Sequence, residues 1–448
     1  ASKFRGSRLM TRKQSLSFIM PALILLAACA TSTEARVPLA SVSVHGMSIE
    51  QMAEAHSIEL TLPLAPRALG AIAVRSNPDL NALRAREKVA EAQVFAAGLY
   101  PDPTVSAGLD FPTSGAGAVT AIAGGIGYDF AAIARRPIAL RAARANVETV
   151  RMDIAWAEWL TAERASLLSE RIGYLSRIKS QTARFRSLAD KELKSVLDAV
   201  ARGDLPAAEL DARRIAATDA ADRDRTAELQ LRSAQLDLNR TLGLDPFERL
   251  DVTPPAPLSD KTVDFETLVS SALMYRADLA GMRANYAAAG AAGEAARLNA
   301  FPLPSLGFNA ARDTGSVETF GPSLSFVLPI WNRGRGDIRS ALATDAQLRA
   351  EYVAHQETIR ADIASALAAL EITRKQRADI LQQIEPLVRQ TEATQQAAER
   401  GDIPEASFNA ASMTLLDKQI TETALSLSIR ELENALEISV GRPLETLK

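Results

Sequence analysis

The sequence contains few of the residues that build disulfides, metal centres and basic binding surfaces. One cysteine, Cys29, is present among 448 residues, so an intrachain disulfide is excluded. The three histidines, His45, His56 and His355, are scattered, and together with the lone cysteine they predict no metal site. The net charge of −3 argues against a nucleic-acid-binding surface. Aromatic residues make up only 5%, which favours closely packed helices.

Catalytic motifs are equally scarce. Ser176 and Lys179 match a Ser-x-x-Lys pair, but they lie within a helical pattern that has no partner motifs. The glycine-rich stretch 124–127 is not followed by the Lys-Ser/Thr of a phosphate-binding loop. The Arg-Gly-Asp at 202–204 matches an adhesion motif by chance, because a repeated turn explains these residues. We therefore expect neither an enzyme nor a cofactor.

The N-terminal segment indicates export. Its apolar run, 16–30, is shorter than the about 20 residues that span a bilayer and follows basic residues, which is typical of a secretory signal peptide. We assign 1–28 to this peptide, with an upstream extension before Met10. The four residues that end at Cys29 read Leu-Ala-Ala-Cys and resemble the bacterial lipoprotein signal, in which the cysteine is lipidated; the alternative is an ordinary buried cysteine. Ala30 follows, and a residue other than Asp at this place resembles the outer-membrane sorting pattern.

Two nearly identical pentapeptides determine the predicted organisation. Residues 202–206 read Arg-Gly-Asp-Leu-Pro, and residues 400–404 read Arg-Gly-Asp-Ile-Pro. A shift of 198 positions superimposes them and also aligns flanking residues, so one structural unit is present twice. We assign the first repeat to 67–245 and the second to 264–448.

The remaining segments are an arm and a connector. Residues 29–66 show little periodicity, and we expect a lipidated N-terminal arm with one short helix near 48–56. The proline-rich stretch 246–263 is expected to be an extended connector that does not pack.

Each pentapeptide is predicted to be a sharp reversal between two helices. Gly and Asp favour a turn, and proline suits the first turn of the helix that follows. The candidate site residues lie in these turns: Arg202, Gly203, Asp204, Leu205 and Pro206 in the first, and Arg400, Gly401, Asp402, Ile403 and Pro404 in the second.

Four segments alternate apolar with small or polar residues, which is the signal for strands. They cover about 103–112, 119–130, 303–312 and 319–331, one pair in each repeat. Such strands are typical of transmembrane β-barrels, and the alternative is a sheet packed on a soluble core. Four strands cannot close a barrel, so a membrane sheet would require several chains.

The rest of each repeat is helical, which gives a mainly α fold with a small β part. Residues 138–201 form one predicted long helix. In the second repeat a heptad seam indicates coiled-coil packing. Arg374 and Arg377 interrupt this seam and either pack their stems on a neighbouring helix or pair with acids there. Pro386, where the first repeat has Leu188, predicts a kink. The apolar seam residues are Ile363, Leu367, Leu370, Leu381, Ile384 and Val388.

The order of these elements resembles the TolC-type outer-membrane efflux protein family, over about 77–444. Three short sequence motifs agree with this family and are most similar to its heavy-metal cation efflux branch, which serves exporters of the resistance-nodulation-division type. The motifs are Asn-Pro-Asp-Leu at 77–80, Ala-Gly-Leu-Tyr-Pro-Asp-Pro at 97–103, and Leu-Pro-Ile-Trp-Asn-Arg-Gly-Arg-Gly at 328–336.

The resemblance implies a homotrimer whose protomers supply four strands each to one outer-membrane β-barrel and whose helices form a tapering α-helical tunnel through the periplasm. The tip turns would meet a membrane-fusion adaptor and, through it, an inner-membrane pump, and export would be passive conduction. Asp204 and Asp402 would then form a ring of six carboxylates that favours cations, held by Arg202 and Arg400. The alternative is that both aspartates only cap the following helices.

Two further alternatives stay open. The gate could instead involve Asp198 or Glu399, one turn from the tips. The rival function is a lipid-anchored periplasmic scaffold or adaptor, because adaptors also carry helical hairpins. Such a protein would need neither two strand pairs with an apolar face nor a complete duplication.

Overall fold

The computed structural model describes residues 46–258 and 263–447. The predicted signal peptide, the lipidation residue Cys29 and His45 lie outside the described residues. A short helix, α1, covers Ile49–His56, and Ser48 starts it with a reciprocal capping box to Gln51.

The first repeat consists of four helices and one strand pair. Helix α4 is 73 residues long, so it extends roughly 110 Å at the rise of an α-helix. Asn77 caps α3, since its side chain accepts from the amide of Leu80 at 2.9 Å. The elements are α2 (Pro66–Ser76), α3 (Pro78–Gly98), β1 (Thr104–Asp110), β2 (Ala121–Asp129), α4 (Phe130–Arg202) and α5 (Ala208–Leu242).

The second repeat has the same elements in the same order. Its long helix contains 65 residues and is continuous through Pro386. The elements are α6 (Phe265–Tyr275), α7 (Ala277–Leu298), β3 (Pro304–Arg312), β4 (Glu318–Phe326), α8 (Arg335–Glu399) and α9 (Glu405–Val440), followed by a 3₁₀ turn at Leu444–Thr446.

Helix α4 begins eight residues earlier than the predicted 138. The prediction stopped at Pro137, because a proline interrupts helical hydrogen bonding. In the structure Asp129 caps the helix by accepting from the amides of Ala131 and Ala132 at 2.8 and 3.2 Å. With this cap in place, Pro137 removes a single backbone bond near the helix start, and the helix tolerates it.

The two repeats close in the same way. In the first, Asn77 Nδ2 donates to the carbonyl of Thr241 at 2.8 Å. In the second, Arg276 Nη1 donates to the carbonyl of Ser439 at 2.9 Å. The return of α5 and α9 onto the short helices is therefore a repeated tertiary contact.

The connector is partly packed, contrary to the expectation of an unpacked segment. The amide of Leu64 donates to the carbonyl of Asp251 at 2.9 Å, and the amide of Thr253 donates to the carbonyl of Leu64 at 3.0 Å. Leu250 and Val252 pack against the hydrophobic core of the first repeat. Pairing with the N-terminal arm satisfies backbone groups that would otherwise be left in an apolar environment.

The predicted seam of α8 is buried at one end only. Ile363 and Leu370 are buried, whereas Leu381 is exposed in the single chain. Arg374 and Arg377 pair with acids of α9: Arg374 with Glu433 at 2.9 Å, and Arg377 with Glu422 at 2.7 Å. Of the two alternatives for these arginines, acid pairing is therefore the one observed.

All four strands form one antiparallel sheet in the order β1-β2-β3-β4. The strands contain seven to nine residues, slightly fewer than predicted. The central pairing joins β2 of the first repeat to β3 of the second, so the sheet links the repeats. No helix within residues 46–258 and 263–447 carries an apolar stretch sufficient to cross a lipid bilayer.

Candidate functional site: the hairpin tips, the repeat seam and the sheet face

The two hairpin tips have the same backbone structure. Gly203 and Gly401 both have φ of 80°, the left-handed conformation that favours glycine. At the first tip, Gly203 N donates to the carbonyl of Val200 at 3.0 Å and Asp204 N to that of Ala199 at 2.9 Å. The second tip repeats both bonds with the same lengths. Each tip is thus a helix C-cap of the Schellman type.

Each tip aspartate is held by the arginine two residues before it. Arg202 Nε donates to Asp204 Oδ2, and Arg400 Nε donates to Asp402 Oδ2, both at 2.9 Å. Neither α5 nor α9 receives a side-chain cap at its N-terminus. The alternative in which these aspartates cap the following helices is therefore not observed.

The prolines lie just before the returning helices rather than within their first turns. Helix α5 starts at Ala208, two residues after Pro206, and α9 starts at Glu405, directly after Pro404. Pro404 has extended backbone angles, so it ends the turn instead of opening the helix. The apolar tip residues differ, because Leu205 is exposed and Ile403 is half-buried.

Ion pairs join the tip-proximal parts of the two hairpins. Lys191 of α4 contacts Glu405 at 2.9 Å, and Arg223 of α5 contacts Asp417 of α9 at 3.0 Å. All four side chains are at least half exposed, so each pair adds little stability by itself. The pairs orient one hairpin relative to the other.

A second set of ion pairs is repeated inside the hairpins. Lys179 contacts Asp224 at 2.8 Å in the first, and Arg377 contacts Glu422 at 2.7 Å in the second. The shift of 198 positions superimposes Lys179 on Arg377 and Asp224 on Glu422. This pairing is not among the sequence-based predictions, although the same shift of 198 positions that aligns the tips also aligns these residues. The ion pair with Asp224 also gives Lys179 a structural role, which agrees with the rejection of Ser176 and Lys179 as a catalytic pair.

Two carboxyl groups meet where α4 of the first repeat packs on α9 of the second, a contact called here the repeat seam. Glu163 of α4 accepts from Asn434 Nδ2 at 2.7 Å, and Glu437 of α9 accepts from the amide of Leu444 at 2.9 Å. The pKa of Glu163 is raised to about 7, first by burial and then by the charge and hydrogen bond of Glu437, against the lowering effects of Arg67 and Asn434. Burial also raises the pKa of Glu437.

A cavity of about 1300 Å³ lies beside this seam. Its polar wall includes Arg67, Glu170 and Glu437, and its apolar wall includes Leu268 and Leu367. Basic and acidic side chains alternate around it, so the cavity offers no single charge that would select a ligand.

The sheet presents two chemically different faces. Directly paired residues lie on the same face, and the register pairs Val105 with Ile126 and Ile126 with Phe308. The opposite face carries small or polar residues such as Ser106 and Asn309, paired through Gly125. The apolar face is exposed in the single chain and includes Val105, Leu109, Ile122, Leu306, Phe320 and Leu324.

The described part of the chain contains no cluster of three or more His, Cys, Asp or Glu side chains that could hold a metal ion. His355 contacts Asp278 through Nε2 at 2.8 Å, and Arg276 pairs with the same carboxylate at 2.6 Å. This group joins α7 to α8.

Residues 268–442 match the family model described as outer membrane efflux protein. The resemblance to outer-membrane efflux proteins is confirmed. The match covers most of the second repeat, which contains the second tip and the strands β3 and β4. No curated protein sequence matches the chain.

Solved structures share the fold across nearly the whole chain. The structure of CusC, reported in connection with transmembrane channel formation, is 15% identical with a TM-score of 0.66, covering 92% of this chain and 99% of that chain. The CmeC outer membrane channel of Campylobacter jejuni is 16% identical with a TM-score of 0.68, covering 92% and 95%. The open MtrE outer membrane channel of Neisseria gonorrhoeae is 15% identical with a TM-score of 0.67, covering 93% and 99%. The fold of this chain is therefore that of these outer-membrane channels.

Proposed function

We propose that this chain is the channel subunit of a tripartite efflux system, working as a homotrimer in the bacterial outer membrane. The observation that carries the proposal is the sheet. Its register collects the apolar residues of all four strands on one exposed face, and β1 and β4 end it as open edges. Unpaired strand edges are costly in lipid, so a membrane sheet of this kind needs neighbours on both sides. Three copies supply twelve strands, within the usual range for outer-membrane barrels.

The helices supply the conduit in this proposal. Helices α4 and α8 extend roughly 110 and 98 Å and lead away from the sheet to the two tips. Exported substrate crosses passively, while energy comes from an inner-membrane pump of the resistance-nodulation-division type. The exposed tip residues, Leu205 and Pro206 in particular, offer a contact for a periplasmic membrane-fusion adaptor.

The tip carboxylates act as the charged constriction. Asp204 and Asp402 are about 60% exposed even though each pairs with an arginine, so both retain charge available to a passing ion. Around a threefold axis they give six carboxylates, which favours cations. Together with the similarity of residues 97–103 and 328–336 to the heavy-metal cation branch, this makes metal cations the first substrate class to test. Cys29 anchors the protein to outer-membrane lipid in the same proposal.

Planar-bilayer conductance of the detergent-purified protein tests the channel and the constriction together. Wild type is compared with Asp204→Asn/Asp402→Asn, and with a control that removes two exposed acids far from the tips in sequence, Glu59→Gln/Asp251→Asn. We expect stepwise currents that prefer cations. The cation preference should be reduced in the tip variant and retained in the control.

The outcomes separate the parts of the proposal. Currents that are unchanged in the tip variant would leave a channel whose constriction lies elsewhere, with Asp198 and Glu399 as the next positions to substitute. An absence of currents together with a monomeric protein would favour the lipid-anchored scaffold.

A further inference from the structure

The boundary between the sheet and the helices is rich in exposed aromatic side chains. This strand–helix junction consists of residues 97–103, 128–144, 294–303 and 327–339, which bring together one end of all four strands. Trp331 is 81% exposed, and Tyr100 and Phe301 are also well exposed. Amphipathic aromatic rings at the end of an apolar strand band are typical of the level of lipid headgroups.

The junction is also basic. It contains eight arginines, no lysine and four acidic residues. Two arginines form ion pairs with acids of the junction, Arg135 with Asp129 and Arg141 with Glu294. The other six make no ion pair within 4.0 Å among the described residues; they are Arg136, Arg144, Arg297, Arg333, Arg335 and Arg339. Positive charge is therefore left over where the aromatic side chains are exposed.

Two of these arginines are fixed against the aromatic residues. The guanidinium of Arg136 lies 4.4 Å from the ring centroid of Tyr100, and its Nε donates to the carbonyl of Gly98 at 2.7 Å. Arg335 Nη2 donates to the carbonyl of Trp331 at 3.1 Å. Arg333 and Arg339 flank this turn with exposed side chains. Cationic and aromatic groups thus share one level of the protein.

The opposite end of the sheet lacks this composition. Its loops, 111–120 and 313–317, contain one acidic residue and no basic residue. Of the strand residues next to them, Asp110 and Glu318 are acidic and Arg312 is basic. The charge asymmetry along the strands therefore distinguishes the helix end from the loop end.

We propose that the strand–helix junction is a binding surface for anionic phospholipid headgroups, with Arg333 and Arg339 as principal phosphate contacts and Trp331 as the anchor at the same depth. The proposal rests on the membrane insertion proposed above. It follows from charge complementarity and from the continuity of the junction with the apolar sheet face. Guanidinium groups bind phosphate strongly, and a basic residue near an anionic membrane surface contributes about 1 kcal/mol, which is about fivefold in relative affinity.

Trp331 provides the readout. The full-length protein is reconstituted in phosphatidylcholine vesicles, and brominated phosphatidylglycerol or brominated phosphatidylcholine is titrated in. Quenching that is present in wild type and missing in Trp331→Phe reports lipid beside Trp331 and not beside Trp156 or Trp159. We expect phosphatidylglycerol to compete several-fold better than phosphatidylcholine, and the preference to shrink at high salt.

Arg333→Gln/Arg339→Gln removes both proposed contacts and leaves Arg335, which holds the turn. We expect this variant to lose most of the phosphatidylglycerol preference while quenching by phosphatidylcholine persists. The matched control is Arg213→Gln/Arg214→Gln, two exposed arginines of α5 in the tip-proximal half of the first hairpin, and it should keep the preference.

Each other result has a distinct meaning. Equal quenching of wild type by both lipids would overturn the headgroup proposal and leave membrane insertion intact. A preference that survives in the Arg333/Arg339 variant would also overturn it. No quenching of Trp331 by either lipid would contradict the insertion on which both proposals depend.

Discussion

Helices α4 and α8 occupy equivalent places in the two repeats but are packed very differently. Thirteen residues of α4 are buried in the single chain, whereas only Ile359, Ile363 and Leu370 of α8 are. At positions related by the shift of 198, Tyr174 is 4% exposed and Ile372 is 59% exposed. Equivalent positions in a repeat therefore do not imply equivalent burial.

The difference arises from the neighbours of each helix. Helix α4 packs against α2, α3 and α5 of its own repeat and also against α7 and α9 of the other repeat, whereas α8 packs against α9, α7 and α6 of its own repeat. Several apolar residues of α8 are left exposed in the single chain, including Leu342, Val353 and Ile372. In the proposed homotrimer a neighbouring copy covers Ile372.

Truncating the two helices should separate the two kinds of packing most strongly. Leu175 is 2% exposed in the core of the first repeat. Leu175→Ala is expected to lower the free energy of unfolding by about 2–5 kcal/mol, because the truncation leaves a cavity. Ile372→Ala should change protomer stability by about 0.5 kcal/mol or less and instead reduce the trimer fraction. Denaturant unfolding and light scattering in detergent measure the two effects.

Ile372→Ala should not destabilise the protein as much as Leu175→Ala at a concentration where the protein is monomeric. Equal destabilisation would mean that another part of the same chain covers Ile372.

The equivalent ion pairs should differ by a smaller amount. Asp224 is buried and accepts from Lys179, Thr182 and Arg186, so Asp224→Asn is expected to cost about 1–3 kcal/mol. Glu422→Gln should cost less, because Arg377 keeps its hydrogen bond to Ser426 Oγ at 2.8 Å. Thermal unfolding of the two single variants measures the difference, and equal losses would show that the hydrogen bond to Ser426 does not compensate for the lost ion pair.

A further expected effect concerns pH and is confined to α4, since Ala361 stands in α8 where Glu163 stands in α4. The pKa of Glu163 is raised from its ordinary 4.5 to about 7, so between these values the folded protein binds more protons than the unfolded chain. Stability from this group is complete below about pH 4.5 and is lost as the pH rises through about 7.

Glu163→Gln should flatten this loss. Its thermal midpoint should change less than that of wild type between about pH 5 and pH 8, with exposed Glu392→Gln of α8 as the control. The groups that face Glu163 and Glu437 include Arg67, Glu433 and Glu445, and these remain in both variants. An unchanged pH slope would mean that the pKa of Glu163 is not raised in the folded protein.

The repeated elements could be predicted because their signals are local. The alternation at Ile122 and Ile126 anticipates the sheet face, and the Gly-Asp pairs anticipate the tips. The start of α4 was predicted eight residues too late, because the capping hydrogen bonds of Asp129 stabilise a first turn that precedes Pro137. The Glu163–Glu437 contact could not be predicted, because the two residues are far apart in sequence and meet only when α9 packs on α4.

The duplication can be read from the repeated residues alone, and the two turns and the period of the strands follow from the conformational preferences of neighbouring residues. The pairing of β2 with β3, the burial of α4 rather than α8, and the pairing of Asp204 and Asp402 with arginines could be seen only in the folded chain. These outcomes depend on which surfaces meet across the chain, and burial and charge pairing between distant segments leave no local pattern.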